Sequence, residues 1–447
     1  MKLPIDFVTE MQAQLGSEFP EFEKALQEET PVSIRLNPAK TYDLPFQNLE
    51  NIPWTPAGRY LKERPIFTLD PAFHAGAYYV QEASSMIVEE IFKKHVPADK
   101  PLRVLDLCAA PGGKTTHLAA LLGPDDLLVA NEVIKSRVSI LKENLLKWGY
   151  PNVIVSQQDP ETFSDLEGFF DVVLVDAPCS GEGMFRKTPE ATEEWSLNNV
   201  ELCCARQKRI LSAAAMLVAP DGLLLYSTCT YNKKENQENG LWLTRTLDFE
   251  AISLEMPEEW GIVKTDFGLQ FYPHRLKGEG FYISAFRNRS RDERYVKGRP
   301  QLSRLNRSLT EQVRPWLNED NYELFQKNDG GIVAIPGHLI SEYGSVLKAL
   351  QKRSSGLEVG HFKGRDFIPS HALALSTLLN QEVSSLELDE KQALLFLKKE
   401  PFELPEPISG WVLMKYKNLG LGWAKAVGQR FNNYLPTEWR IRMKIED

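Results

Sequence analysis

The chain has 447 residues, 43% of them hydrophobic and 25% charged, close to the average of globular proteins. At roughly 100 to 200 residues per domain this length exceeds a single core and predicts about three domains. The formal net charge of -9 excludes a chain that is basic throughout, and no apolar run reaches the ~18 residues that a membrane span requires.

The N-terminus lacks a basic segment followed by a long apolar core and a small-residue cleavage site, which predicts no secretory leader and a cytoplasmic protein. Helix-like periodicity over residues 7–15 and 19–26 precedes a strand at Val32–Leu36 and loops punctuated by proline. Residues 1–95 therefore read as a small α+β lobe. At its end Gly76-Ala-Tyr-Tyr-Val-Gln-Glu82 predicts a short strand passing into a helix, with Met86, Ile87, Ile91 and Phe92 at helical spacing.

From Arg103 onward short apolar strands alternate with helices. Strands are predicted at 104–107, 127–130, 153–155, 172–175 and 222–227, helices at 115–122, 136–148 and 200–217. Continuous apolar strands separated by helices of this length predict a parallel sheet covered on both faces, a doubly wound, Rossmann-like α/β fold over residues 96–295. Phe281–Phe286 reads as its closing strand. A linker with Gly298 and Pro300 follows, and the chain then becomes less periodic, with turn-rich Asn328-Asp-Gly-Gly331 and helices near 340–352 and 371–379. Residues 296–384 are predicted to form a linker and accessory domain, and residues 385–447 a final small domain.

Two basic segments interrupt the acidic average. Between Arg287 and Arg307 eight Lys or Arg face only Asp292 and Glu293, and between Trp411 and Lys444 seven face Glu438 alone. As solvated faces they would mean little, but a local positive field is also what an RNA backbone selects. The five cysteines are odd in number and lack CxxC spacing, which predicts reduced thiols and neither a disulfide framework nor a metal site.

The loop Cys108-Ala-Ala-Pro-Gly-Gly-Lys114 follows the first strand of the alternating region. Its glycines let the backbone turn tightly and approach a ligand, and the next helix offers free amide groups. A phosphate-binding P-loop would need glycine where Cys108 stands, and the G-x-G-x-x-G dinucleotide pattern is absent. Glu132 ends the second strand, where an acid in such folds accepts hydrogen bonds from ribose hydroxyls, and Asp159 follows the third. Taken singly each acid would be a helix or turn cap. Together with the loop they fit the ribose, adenine and methionine parts of S-adenosylmethionine.

Cys179 in Asp-Ala-Pro-Cys-Ser-Gly and Cys229 in Ser-Thr-Cys-Thr-Tyr each lie just past a predicted buried strand. Polar turns surround both, whereas Cys203 and Cys204 inside a helix, and Cys108, read as packing residues. Carbon 5 of cytosine or uracil is a poor nucleophile. A thiolate that adds at carbon 6 gives carbon 5 enamine character, and a base must later remove the carbon 5 proton to expel the thiol. Two cysteines at adjacent strand ends can supply nucleophile and base, and Asp176 can hold the nitrogen 3 edge of the ring while charge develops there. Their order is open at this level.

Asp106-Leu-Cys-Ala-Ala-Pro-Gly-Gly-Lys-Thr115, Asp176-Ala-Pro-Cys-Ser-Gly-Glu-Gly183 with Arg186, and Tyr226-Ser-Thr-Cys-Thr-Tyr231 resemble the RNA cytosine-5 methyltransferases of the NOL/NOP/Sun (NSUN) family. The likeness extends to Tyr79-Val-Gln-Glu-Ala-Ser-Ser85, Pro273-His274 and Gly278-Glu-Gly-Phe281, so it covers residues 30–287. Gly420-Leu-Gly-Trp-Ala-Lys425 and Asn433-Tyr-Leu-Pro436 resemble the PUA-like C-terminal domain of the bacterial RsmF ribosomal RNA enzymes within that family.

The resemblance implies Cys229 as nucleophile, Cys179 as the thiol that assists product release, and Asp176 as a contact to the base. It implies S-adenosylmethionine binding by Cys108, Ala109, Ala110, Pro111, Gly112, Gly113, Lys114, Glu132, Asp159 and Asp176. The implied substrate is a cytidine of ribosomal RNA, with the small subunit favoured, bound by a monomer that needs neither metal nor membrane. Arg35, Asn37 and His274 match family positions without an assigned role, and Ala424 stands where a glycine would ease close approach to RNA. Lys415, Lys417, Lys425, Arg430, Arg440 and Arg442 could follow phosphates, with Trp411, Trp423 and Tyr434 stacking or packing. Transfer RNA as substrate, or a non-catalytic RNA-binding assembly factor on the same fold, are the alternatives. Methylation of an amino group is disfavoured, because an Asn-Pro-Pro-Tyr type of loop would be expected where Asp-Ala-Pro-Cys stands.

Overall fold

The computed structural model describes residues 2–97, 100–290, 302–351, 353–354 and 356–443. Its central sheet is built from strands β1 (Arg103–Asp106), β2 (Leu127–Asn131), β3 (Val153–Ser156), β4 (Phe170–Asp176), β5 (Val218–Thr228), β6 (Gly268–Phe271) and β7 (Phe281–Asn288). In space they run β6-β7-β5-β4-β1-β2-β3, with Val263–Lys264 at the β6 edge and Phe249–Ala251 beside β7. From β3 across to β5 every pairing is parallel.

The packed helices are α1 (Val88–His95), α2 (Gly113–Leu121), α3 (Lys135–Trp148), α4 (Leu197–Leu217) and α5 (Gln237–Thr246). Alternate strand residues face opposite sides of the sheet. Val104, Leu128, Val172 and Leu174 pack with Ile91, Phe92, Leu118 and Ala119 of α1 and α2. Leu105, Val129 and Val173 pack on the other side with Ile210, Leu211 and Ala214 of α4. This double coverage is why Val104–Leu105 of β1 and Val172–Val175 of β4 are apolar on both faces.

One strand departs from the all-parallel reading. β7 lies between β5 and β6 and runs antiparallel to both. The link over residues 272–280 is too short for the crossover of a dozen or more residues that parallel neighbours need, so β6 and β7 can only reverse on one another.

Three smaller sheets surround this one. The N-terminal sheet joins Val32–Leu36, Glu50–Asn51, Gly58–Leu61 and Tyr78–Val80 in antiparallel fashion. A five-stranded sheet runs from Ser303–Arg304 to Asp366–Pro369, in a region where turns and helices alone were legible. A four-stranded sheet over residues 385–433 is the last. Its Val412 and Leu421, with Phe396 of the helix Glu390–Lys398 that follows its first strand, share one apolar cluster with Ile34 and Tyr78 of the N-terminal sheet and with Phe67 of the turn Phe67–Leu69. Half-buried Lys40 donates to the carbonyls of Ala75 and Lys147, at 2.6 Å and 2.5 Å, and so ties that sheet to α3. Among the described residues no helix is long and apolar enough to cross a membrane.

The turn after β4 is fastened to the strand link before β7 by a buried ion pair. Arg186 and Glu279 are 4% and 5% exposed and 3.0 Å apart, and Arg186 also donates to the carbonyls of Gly278 and Ala25. Removing one member of such a pair leaves a bare charge in the interior. Arg186→Met is expected to lower the unfolding free energy by about 3–5 kcal/mol, read from the denaturant midpoint. Arg275→Met, which opens the exposed pair with Glu18, should cost no more than about 1 kcal/mol.

Candidate active site

β1, β4 and β5 are adjacent and parallel, so their C-terminal ends meet on one edge of the sheet, the edge at which open α/β folds bind ligands. The loop after β1, Cys179 after β4 and Cys229 after β5 open there into one cavity of about 820 Å³. Gln81, Glu82 and Ser85 close it from the N-terminal side, and Glu279 to Phe281 from the link before β7.

The parallel register sets Asp176 opposite Ser227. Three residues beyond one and two beyond the other, the Sγ atoms of Cys179 and Cys229 come within 3.0 Å, and the Cys229 backbone N–H points at Cys179 Sγ at 3.3 Å. Both thiols are free and half-buried. The Cys179 thiol is pushed well up, first by its hydrogen bond with Cys229 and then by burial.

Lys114 and Asp176 form an ion pair of 2.9 Å within the cavity, and Ser227 Oγ donates to the other Asp176 oxygen at 2.7 Å. Burial disfavours the Lys114 ammonium, but Asp176 and then Cys229 outweigh it, so its pKa is raised. The sequence reading gives Lys114 to the cofactor loop, and its side chain reaches across to Asp176 and lies 4.8 Å from the Phe281 ring centroid.

The Gly-rich loop is held from below. Gly112 has φ +114, a region that favours glycine, and the loop passes directly into α2 at Gly113. Arg35, fully buried, donates to Thr116 Oγ1 at 2.6 Å and Gln81 Oε1 at 2.9 Å and lies 4.4 Å over the Trp148 ring. Asn37 donates to the carbonyls of Gly76 and Trp148. The two residues thus brace the loop and the end of α3 from beneath.

Asp106, at the end of β1, accepts from Thr115 Oγ1 at 2.6 Å, while its Oδ1 is buried and has no hydrogen-bond partner. Burial pushes its carboxyl up to about 7. Cys108 lines the cavity and packs against the core behind it, and burial raises its thiol as well. Glu132 lines the cavity 3.3 Å from Arg137, which also donates to the Ala110 carbonyl at 2.6 Å. Asp159 caps the helical turn Pro160–Leu166 and pairs with Arg209 at 3.1 Å; it lies outside the cavity lining, to which its neighbours Pro160 and Arg209 belong.

His274 has its Nε2 3.0 Å from Glu18 and packs on Phe22, so it serves to hold the N-terminal helices. Beside it Gln14 donates to the Tyr231 carbonyl and to Tyr272 Oη. Two buried acids lie behind the cysteine turns. Glu182 accepts from the Tyr231 N–H and Trp195 Nε1, both at 3.0 Å, and Glu235 accepts from the Ser180 N–H at 3.0 Å. Neither was picked out from sequence, although Glu182 falls within the Asp176 to Gly183 motif. Lys187, Arg206 and Arg209, also unforeseen, line the cavity with basic side chains.

The first basic segment is partnered where it is described. Arg287 donates to the carbonyls of Asp221 and His95, and Arg289 pairs with Glu250. Residues 291–301 lie outside the described residues, as does Lys444. Of the C-terminal aromatics, Trp423 is buried and donates to the Ser370 carbonyl, which makes it a packing residue. Tyr434 is 43% exposed and meets Trp411 edge-on at 4.5 Å, with Lys425 over the Trp411 ring.

Residues 96–287 match the family model described as 16S rRNA methyltransferase RsmB/F. Residues 3–83 match the N-terminal domain of 16S rRNA methyltransferase RsmF, and residues 383–441 match the methyltransferase RsmF PUA domain. The chain is similar to ribosomal RNA small subunit methyltransferase F of Salmonella heidelberg, with 30% identity over 97% of this chain and 96% of that one. To the protein of the same name from Escherichia coli O6:H1 the identity is 29%, with the same coverage. Among solved structures it resembles a methyltransferase homolog protein from Pyrococcus horikoshii, with 28% identity, a TM-score of 0.53, and coverage of 61% of this chain and 92% of that one.

Asp106 gives the site a pH signature. Its carboxyl titrates at about 7 in the fold against 3.8 ordinarily, so the folded chain holds this proton more tightly than the unfolded one. That contribution to stability is complete below the ordinary value and is lost as pH rises through about 7. Asp106→Asn is expected to flatten the fall in stability across this window by up to ~1.4 kcal/mol per pH unit, measured by denaturant unfolding at a series of pH values.

Proposed function

The chain belongs to the RsmF family of 16S ribosomal RNA methyltransferases, and on that footing we propose that it methylates carbon 5 of a cytidine in small-subunit ribosomal RNA through a covalent adduct to Cys229. The observation that carries this reading is the pair of sulfurs 3.0 Å apart in the cavity that also contains the Gly-rich loop. An inert ring carbon needs a nucleophile and a proton-handling group on the same face of one base, and two thiols at neighbouring strand ends meet that need.

The cavity residues fit S-adenosylmethionine. The backbone from Cys108 to Lys114, the Glu132 carboxylate, the apolar and half-exposed Val133 and Ile134, and the unpartnered Asp106 Oδ1 form a mixed polar and apolar lining. An acid suits the ribose hydroxyls, apolar side chains suit adenine, and loop amides with a further acid suit the methionine end. Asp159 belongs to this set through its place after β3, with Arg209 linking it to the cavity. When bound, the cofactor supplies the methyl group.

The protein's own residues account for the rest. As the Cys229 sulfur adds to carbon 6, negative charge develops on the pyrimidine, and the Lys114–Asp176 pair lies within the same cavity to stabilise it. For release, Cys179 as its thiolate takes the carbon 5 proton, and the electrons of that carbon–hydrogen bond expel Cys229 from carbon 6 as a thiolate; the bond to Cys229 and the burial that raise the Cys179 thiol make its thiolate a strong base. The target base must be unpaired or flipped to reach thiols set this deep, at a cost of a few kcal/mol. Lys187 and Arg206 at the cavity can attract the flanking phosphates.

The four sheets support a division into residues 1–95, 96–295, 296–384 and 385–447, since each sheet falls within one of these segments. The proposed enzyme acts as a monomer on ribosomal RNA in the cytoplasm.

Cys229→Ala should give no RNA adduct on a denaturing gel, whereas Cys179→Ala should accumulate one; the reverse pattern would exchange the two roles. The combined change Lys417→Ala, Lys425→Ala and Arg430→Ala should weaken RNA binding and leave cofactor affinity unaltered. Its salt dependence should fall by roughly 0.7–0.9 in log–log slope for each phosphate that is no longer neutralised.

A further inference from the structure

Behind the two thiols lies an acid that the proposed chemistry does not use. Glu235, in the link between β5 and α5, is fully buried. One of its carboxylate oxygens accepts from the Ser180 N–H at 3.0 Å and from Gln207 Nε2 of α4 at 2.7 Å. Its Oε1 is buried without a hydrogen-bond partner, and among the described residues no cation pairs with it.

Ser180 follows Cys179 directly, and its hydroxyl lies 3.0 Å from Thr230 Oγ1, which follows Cys229. The Glu235 backbone carbonyl accepts from Tyr226 Oη at 2.6 Å and Asn239 Nδ2 at 2.9 Å, which fixes the acid from the β5 and α5 sides. One carboxylate is therefore tied to the Cys179 turn and, through a hydroxyl pair, to the Cys229 turn.

The charges around the thiols are unequal. The Lys114 ammonium interacts with Cys229 and Asp176 from the open side. The titratable groups facing Glu235 are Cys179 and Glu182 from the turn after β4, Cys203 and Cys204 from α4, and Tyr226 from β5; none is cationic.

We infer that Glu235 is a positioning residue that gives the two thiols different roles, setting the Cys179 turn and keeping negative charge behind Cys179 so that Cys229 ionises as the nucleophile. The inference rests on the function proposed above and adds the residue that orders its two sulfurs. Likeness of motif alone could name the nucleophile; the arrangement of one buried acid and one cation supplies a physical cause. The raised Cys179 thiol, to which Glu235 contributes after the Cys229 bond and burial, agrees with it.

The test uses full-length protein carrying Cys229→Ser, in which iodoacetamide labelling of Cys179 is followed against pH by peptide mass spectrometry. Adding E235Q retains an acceptor for the Ser180 N–H but removes the charge. It should move half-maximal labelling of Cys179 down by about one pH unit, whereas E235D should leave it near the parent value. A profile for E235Q that coincides with the parent or moves upward would overturn the inference, because a purely structural role predicts no downward movement.

Should E235Q fail to fold, a second comparison decides. At one pH, Cys229 in a Cys179→Ser protein must label faster than Cys179 in the Cys229→Ser protein, and an equal or reversed order counts against the inference. Neither measurement involves RNA. Loss of this thiol ordering is thus distinguishable from failure of the RNA adduct assay, which bears on the function alone.

Discussion

The hydrogen-bond register between β4 and β5 is the constraint on which the site depends. With Asp176 paired to Ser227, the chain needs three further residues on one strand and two on the other to bring its sulfurs to 3.0 Å. A slip of one residue would turn every side chain of the strand to the opposite face. Val173, Leu174 and Val175 oppose such a slip, because they are wholly buried and belong alternately to the apolar clusters on the two faces of the sheet. The packing that stabilises the sheet therefore also sets the distance between the two sulfurs.

Burial then sorts the charges at this edge. Asp106, Glu182 and Glu235 are almost without solvent, and burial raises the carboxyl of each. Lys114 and Asp176 pair at 2.9 Å at the open side, and Asp176 favours the Lys114 ammonium. The two thiols therefore lie in unequal fields, with a buried acid raising Cys179 and the Lys114 ammonium interacting with Cys229.

What was legible in the sequence follows from how local its signals are. The buried strands and the Gly-rich turn carry their patterns within a few residues, so the alternating α/β core and the edge that bears Cys108 to Lys114, Cys179 and Cys229 could be read directly. The direction of β7 could not, because it depends on the short link after β6 and not on the composition of the strand. Glu235 stands in the polar run Lys233-Lys-Glu-Asn-Gln-Glu238, which reads as a solvated turn until α4 covers it with Gln207. Trp423 beside Lys425 reads as a ring that either stacks or packs, with packing favoured, and its burial and the Ser370 carbonyl at its Nε1 place it in the core. The five-stranded sheet was hidden for a related reason, since its short strands are broken by turns and acquire their apolar partners from distant segments.

The same dependence on distant segments explains why the N-terminal residues bear on a site whose strands begin only at Arg103. Arg35 braces the first turn of α2 through Thr116, and the ring beneath its guanidinium, Trp148, ends α3. Burial lowers the Arg35 pKa to about 9, which leaves it charged at neutral pH with one guanidinium nitrogen unpaired. A charged group held in this way is costly unless everything around it is fixed. The N-terminal sheet that carries it is in turn clamped between α3, through Lys40, and the last sheet, through the apolar cluster around Phe396. The Gly-rich loop is thus braced by both ends of the chain, and docking of the C-terminal sheet bears on the geometry of the loop even though that sheet contributes no residue to the cavity lining.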